Sequence, residues 1–296
     1  MTDQLTAAPA DGSEQVAEVY DHNVITFESF YEEVDPDEIV EQARQVDRHL
    51  ADLGAMHQIE KLFWDDELRE RIRGRNVLEI GGGDGRNAVF MLMLGAGHVT
   101  LHEITPSTER IARECAKRLG LDDRLDVQIG NPLDVDLGGP YDAVIARLVF
   151  HHIPTDIEEE FADMLAAHTA DDGWLRLIDP AVNSRRLDAL RWALPAPGRP
   201  SRFSKRWDEW KANDEHPDRD NSTEHVADIF RKRFRDVRTE TTAGLSRLHR
   251  WVDSERFHDP AMRALNVVDS KLPDRLQRWL AANHSITASR PIRPGR

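Results

Sequence analysis

Residues 76–88 read NVLEIGGGDGRNA, and no other stretch of the chain restricts its fold so tightly. Asn76 to Ile80 read as a buried strand carrying a carboxylate, Glu79, near its end. A glycine cluster follows at once: Gly81, Gly82, Gly83 and Gly85. A helical pattern then runs from Arg86 to Leu94. A strand passing through a glycine turn into a helix brings the backbone close to a nucleotide-like ligand. Gly83, Gly85 and Ala88 also fit the G-x-G-x-x-A dinucleotide fingerprint, a pattern that is weak alone.

Three further segments follow in order. In HVTLHEITPSTERIARECAKRLG (residues 98–120), Glu103 ends a strand and Pro106 suits a first helical turn. Ile111, Cys115 and Leu119 then fall at helical spacing and should face the sheet. A carboxylate about 20 residues after the glycines can accept both hydroxyls of a ribose. LDVQIGNPLDV (residues 125–135) reads as a third strand ending at Gly130, Asn131 and Pro132. YDAVIARLVFHHIP (residues 141–154) has a buried run, Ala143 to Ala146, then Arg147 and a loop with His151 and His152. WLRLIDP (residues 174–180) is a fifth strand.

Together these segments resemble the class I S-adenosylmethionine-dependent methyltransferases that act on small molecules. The pattern is closest to the type found in ubiquinone and menaquinone biosynthesis. Motif I of that family, V-L-(D/E)-(I/V)-G-x-G-x-G, is matched at Val77, Leu78, Glu79, Ile80, Gly81, Gly83 and Gly85. The family's V-T-G-x-D-x-S-P strand has Glu103 at its acidic position, and its Gly-Asp-Ala has become Gly130-Asn131-Pro132. Asn131 offers adenine a neutral acceptor there. The matches cover residues 76–180. Glu79 before the glycines, and no segment resembling a nicotinamide site, set the dinucleotide reading aside.

The resemblance implies an α/β, Rossmann-like class I methyltransferase fold. Its seven-stranded sheet would be mostly parallel with an antiparallel last strand, flanked by N-terminal helices and helical cap insertions. It implies S-adenosyl-L-methionine as cofactor, held by Glu79, Gly81, Gly83, Gly85, Glu103, Ile104, Asn131, Pro132, Leu133, Ala146 and Arg147. Arg147 stands where small polar residues are common; it could meet the cofactor carboxylate or an anionic acceptor, or close a salt bridge across the strand ends, such as to Glu79.

The chain divides around these motifs. Residues 1–17 read as a disordered tail and residues 18–74 as an N-terminal helical cap. Residues 75–296 are the methyltransferase domain, with insertions at 181–222 and 245–283. Ile39, Val40, Ala43, Val46, Leu50 and Leu53 make one helical stripe that starts at Asp35-Pro36 and that Gly54 can end. A second helix is expected from His57 to Ile72. Thr155 and Glu158 have capping-box spacing for a helix to about His168. Residues 235–242 and 284–290 read as strands six and seven. In such families N-terminal helices cover the cofactor, so Tyr20 and Tyr31 are acceptor-site candidates, as are Trp192 and Trp207 of the first insertion. Ordinary packing explains the tyrosines equally well.

His152 and His151 are the candidate general bases. They follow strand four, at the carboxyl ends of the strands where ligands bind in such sheets, and an unperturbed imidazole titrates near pH 6.5. One or both could instead pack or cap the next helix. Residues 185–206 hold six arginines and Lys205 against one acid, Asp188. They read as a site for an anionic acceptor or as a solvated face. Asp214, Glu215, His216, Asp218 and Asp220 lack metal-ligand spacing, so no metal is expected.

With 31% charged residues and a net charge of −15, nucleic acid is an improbable partner. One cysteine, no leader-like start and no long apolar run point to a cytoplasmic protein with no membrane partner. The expected partner is a small-molecule substrate, and a homodimer is left open. Two other functions stay open: a methyltransferase-fold protein that binds the cofactor without methyl transfer, as a cyclase or regulator, and a protein or RNA methyltransferase.

Overall fold

The computed structural model describes residues 24–196, 199–212, 219–245 and 255–293. Seven strands form one sheet in the order β3-β2-β1-β4-β5-β7-β6. They are β1 (Asn76–Ile80), β2 (His98–Glu103), β3 (Leu125–Ile129), β4 (Tyr141–Arg147), β5 (Thr169–Pro180), β6 (Phe234–Ala243) and β7 (Ala281–Pro291). The pairs β1–β2, β1–β4, β2–β3 and β4–β5 are parallel. β7 runs antiparallel to both β5 and β6. The expected sheet is therefore present, with the topological switch point between β1 and β4.

Strand alternation sends side chains to two apolar layers. Val77, Leu101, Ala143, Ile145 and Ile178 face one core, and Leu78, Ile80, Val144, Leu175 and Leu177 face the other. The first layer holds α6 (Arg86–Met93) and α7 (Pro106–Leu119), with the N-terminal helices packed beyond them. Cys115 of α7 is buried there, as its spacing required. The second layer holds α8 (Glu158–His168) and α11 (Thr223–Arg231).

The N-terminal segment is more broken than its stripe implied. α1 spans residues 24–31. The stripe from Pro36 divides into α2 (Pro36–Arg44) and α3 (Val46–Met56), and α3 passes through Gly54. The expected 57–72 helix divides into α4 (Gln58–Phe63) and α5 (Asp66–Arg71), because Asp65 leaves the helix to accept from Leu68 N–H. Arg176 of β5, 1% exposed, anchors this segment by pairing with Asp65 at 2.7 Å and Glu67 at 3.2 Å.

The insertions carry α9 (Arg185–Ala193), α10 (Trp207–Ala212), α12 (Glu255–Asp269) and α13 (Asp274–Trp279). The capping box does not form: α8 begins after Ile157 without a side-chain cap. Glu158 bonds Arg219 at 2.7 Å instead, since an ion pair across segments outweighs a local cap for a buried carboxylate. Tyr20, the 1–17 tail and residues 214–218 lie outside the described residues.

Candidate functional site

A cavity of about 370 Å³ opens at the carboxyl ends of β1, β2 and β4. Its floor is the glycine turn. Gly81 has φ +68°, and a Cβ there would sit 2.0 Å from Val149 Cγ2. Gly83 has φ +62°, and a Cβ would lie 3.2 Å from the Tyr31 hydroxyl. Side chains are disfavoured at both points by conformation, and at Gly81 by space as well. The backbone therefore forms a cradle, with α1 lying over it through Tyr31.

Two carboxyls sit under and beside this cradle. Glu79 is 1% exposed. Neither of its carboxyl oxygens meets a hydrogen-bond donor among the described residues. Asn87 stands near enough to draw its pKa down without reaching hydrogen-bond geometry, and Arg147 acts the same way through its charge. Burial outweighs both and pushes the carboxyl up to about 8. Glu103 accepts from Gly83 N–H and Ile104 N–H, each at 2.7 Å. Burial pushes it up to about 7 against those bonds. One carboxyl stored without a donor and a second with lone pairs to spare fit a ligand carrying an ammonium and a hydroxyl pair.

Beyond β2, His102 is buried and bonds the Gly130 carbonyl at 2.8 Å through Nε2. Burial lowers its pKa to about 4, so the ring is neutral and Nε2 donates. His102 thus pins the loop holding Asn131, Pro132 and Leu133, all on the cavity wall. The Asn131 amide is turned inward on that loop: its Oδ1 accepts from Leu133 N–H at 3.1 Å and its Nδ2 donates to Asp134 at 2.8 Å. His102 was not legible as a site residue, because alternation alone makes it one more buried strand position.

The opposite wall is built by the turn after β4. Leu148 takes φ +56°, a costly conformation for a leucine. It re-aims the chain into a short 3-10 helix, Phe150–His152. His151 and His152 both line the cavity. His151 Nδ1 lies 2.6 Å from Asp179 Oδ1 at the end of β5. His152 meets Phe27 of α1 edge-on, with ring centroids 5.3 Å apart. The Asp179 carboxylate thus falls to His151. Asp179 was missed because nothing in WLRLIDP marks its partner 28 residues away.

Arg219 holds this turn from behind. Its side chain is 0% exposed and it donates to the carbonyls of Phe150 and, at 3.0 Å, Ile153. Its guanidinium stacks on the Phe150 ring with 4.4 Å to the centroid.

Several sequence candidates lie away from the cavity. Gly85 caps α6, Ala146 is buried within β4, and Glu79 and Gly83 lie behind the cavity wall rather than on it. Arg147 pairs with Glu60 of α4 and lies over the Phe63 ring. The ion pair runs to a helix of the N-terminal segment and not across the strand ends to Glu79. Trp192 and Trp207 pack on each other at 5.4 Å and do not line the cavity. Arg199 of the basic segment is spent on the Arg191 and Leu194 carbonyls. The cavity wall is otherwise apolar, with Phe27, Ile153, Ile157 and Phe161, and among the described residues it has no lysine or arginine. No group of described residues could hold a metal ion, and no described helix is long and apolar enough to cross a membrane.

Residues 27–214 match the family model described as a methyltransferase domain. No curated protein matches the chain in sequence. Among solved structures, a geranyl diphosphate methyltransferase bound to SAM is 14% identical over 82% of this chain and 90% of that one, with TM-score 0.51. A geranyl diphosphate C-methyltransferase from Streptomyces coelicolor A3(2) is 14% identical over 79% and 76%, with TM-score 0.50. A candidate O-methyltransferase from Nostoc punctiforme PCC 73102 is 16% identical over 84% and 59%, also with TM-score 0.50. Identities this low show a shared fold.

Proposed function

The chain belongs to the methyltransferase-domain family, and we propose that it moves the methyl group of S-adenosylmethionine to a small, largely apolar acceptor whose proton His151 removes. The observation that carries this reading is one continuous cavity. It runs from the glycine cradle and Glu103 to an imidazole held on Asp179.

The cofactor supplies an electrophilic methyl carbon, and the residues supply position and a proton acceptor. Glu79 would take the cofactor's ammonium, gaining the donor it lacks. Glu103 would take the ribose hydroxyls. The wall at Ile104, Pro132 and Leu133 would hold adenine. Asn131 is committed to its own loop and contributes shape there. The acceptor would lie between Phe27, Tyr31 and Phe161, with its nucleophilic atom held in line with the methyl group at a near-attack distance of about 3–3.5 Å. His151 would bind the released proton, and Asp179 would fix its tautomer and stabilise the imidazolium. With no lysine or arginine on the described wall, an apolar acceptor is favoured over an anionic one.

Incubation with S-adenosylmethionine and a metabolite library tests this directly. Formation of S-adenosylhomocysteine with one added methyl mass on an apolar acceptor is expected. Cofactor binding without turnover against any acceptor would sink methyl transfer and leave the cyclase or regulator. His151→Ala should cut turnover about a hundredfold to ten-thousandfold and leave cofactor affinity nearly intact. The same loss in His152→Ala alone would move the base one residue on.

A further inference from the structure

We propose that His284 is a positioning residue for His151: from the strand beside Asp179 it donates to the carboxylate oxygen that His151 leaves over, keeping Asp179 ionised and turned toward the imidazole. This deepens the reading of His151 as the base and rests on it.

Asp179 of β5 and His284 of β7 stand directly opposite in the antiparallel register. Opposed residues project from the same face, with Cβ atoms about 4.5–5.5 Å apart, so imidazole and carboxylate are within reach of each other by side-chain rotation. Three buried polar atoms on these two opposed side chains lack a hydrogen-bond partner among the described residues: Asp179 Oδ2, His284 Nδ1 and His284 Nε2. Asp179 is 2% exposed and His284 0%. Natural cores rarely leave such atoms unmatched, and one N–H to carboxylate bond satisfies two of the three.

The charged and titratable groups acting on His284 are Asp179 from β5, His151 from the turn after β4, and Arg219 from the segment before α11. Arg219 commits both terminal nitrogens to Phe150, Ile153 and Glu158, and its Nε makes no hydrogen bond to Asp179, so the arginine acts on Asp179 through its charge alone. Burial lowers the His284 pKa to about 4, which leaves the ring neutral with one N–H to give. A donor on the ionised form of a carboxyl holds its pKa down, and an ionised Asp179 is the form that orients and stabilises a protonated His151.

The test uses the full chain and needs neither cofactor nor acceptor, so its outcome is separate from that of the turnover assay. Aspartate labelled at the side-chain carboxyl with ¹³C gives the Asp179 titration, assigned by its loss in Asp179→Asn. The midpoint belongs to the coupled Asp179–His151 pair. His284→Phe should raise it by at least one pH unit, a tenfold gain in proton affinity. His284→Gln, which keeps a side-chain N–H, should return most of that shift. An unchanged midpoint in His284→Phe, or equal shifts in both variants, would overturn the proposal. Should the phenylalanine variant fail to fold, ¹⁵N-histidine spectra of the wild-type protein decide alone. A His284 ring proton protected from exchange is expected, and a fast-exchanging one refutes the bond.

Discussion

Glu79 pulls stability and binding in opposite directions. Its carboxyl is raised to about 8 by burial, so between about pH 4.5 and 8 the folded chain keeps a proton that the unfolded chain releases. The penalty for ionising it in the fold therefore grows as pH rises through that window. Glu79→Gln removes the penalty, and the variant should melt higher than wild type at pH 8, by on the order of a few kcal/mol. The same variant should lose affinity for S-adenosylmethionine, because a neutral amide cannot balance an ammonium. Thermal melts and calorimetry across pH check both halves; a variant that binds normally would show that the ammonium is held elsewhere. Glu103 is raised to about 7, and hydroxyl donors bind best to its ionised form. Cofactor affinity should thus climb from about pH 6 to 8 as Glu103 and then Glu79 ionise, and Glu103→Ala should weaken it at least about tenfold and leave only the Glu79 part of that climb.

At the scale of elements, the turn after β4 joins the cofactor floor to the histidines. Val149 occupies the space that a Cβ on Gly81 would need, with 2.0 Å between them. Gly81→Ala should push that turn outward, lowering cofactor affinity and turnover together. An alanine variant with wild-type kinetics would mean the two loops are not coupled. Arg219 secures the same turn while pairing with Glu158. Arg219→Ala leaves the buried Glu158 carboxylate with His225 alone, at 3.2 Å, and should cost up to about 3–5 kcal/mol in chemical denaturation. Adding Glu158→Gln should recover part of it, and full additivity of the two losses would argue against the pairing. These couplings were not legible beforehand. Capping-box spacing drew Glu158 toward Thr155 because a local motif carries no information about an arginine 61 residues later.

At the scale of the molecule, α1 is a cover rather than a part of the sheet. Its Glu28 takes Ser107 N–H at 3.1 Å and the Ser107 hydroxyl at the start of α7. Its Phe27 and Tyr31 close the cavity. Removal of residues 1–33 should leave the far-ultraviolet circular dichroism of the sheet intact and reduce cofactor affinity about tenfold or more. Loss of all folded signal would instead make α1 part of the core. The sheet itself was written locally: apolar runs, the glycine turn and Pro106 at a helix start each act over a few residues, so β1 through α7 could be read from the chain. So could Glu79, Glu103 and the presence of two histidines after β4. What the sequence could not rank was His151 against His152, since alternation places both near the strand end and the deciding carboxylate arrives from another strand. Asp179, His284 and Arg219 meet that site only after β5, β7 and the first insertion pack together, and Trp192 is drawn off it by the same packing. Local periodicity determined the scaffold and the glycine turn; contacts across distant segments, where burial makes each unmatched polar atom costly, decided which side chains meet at the cavity.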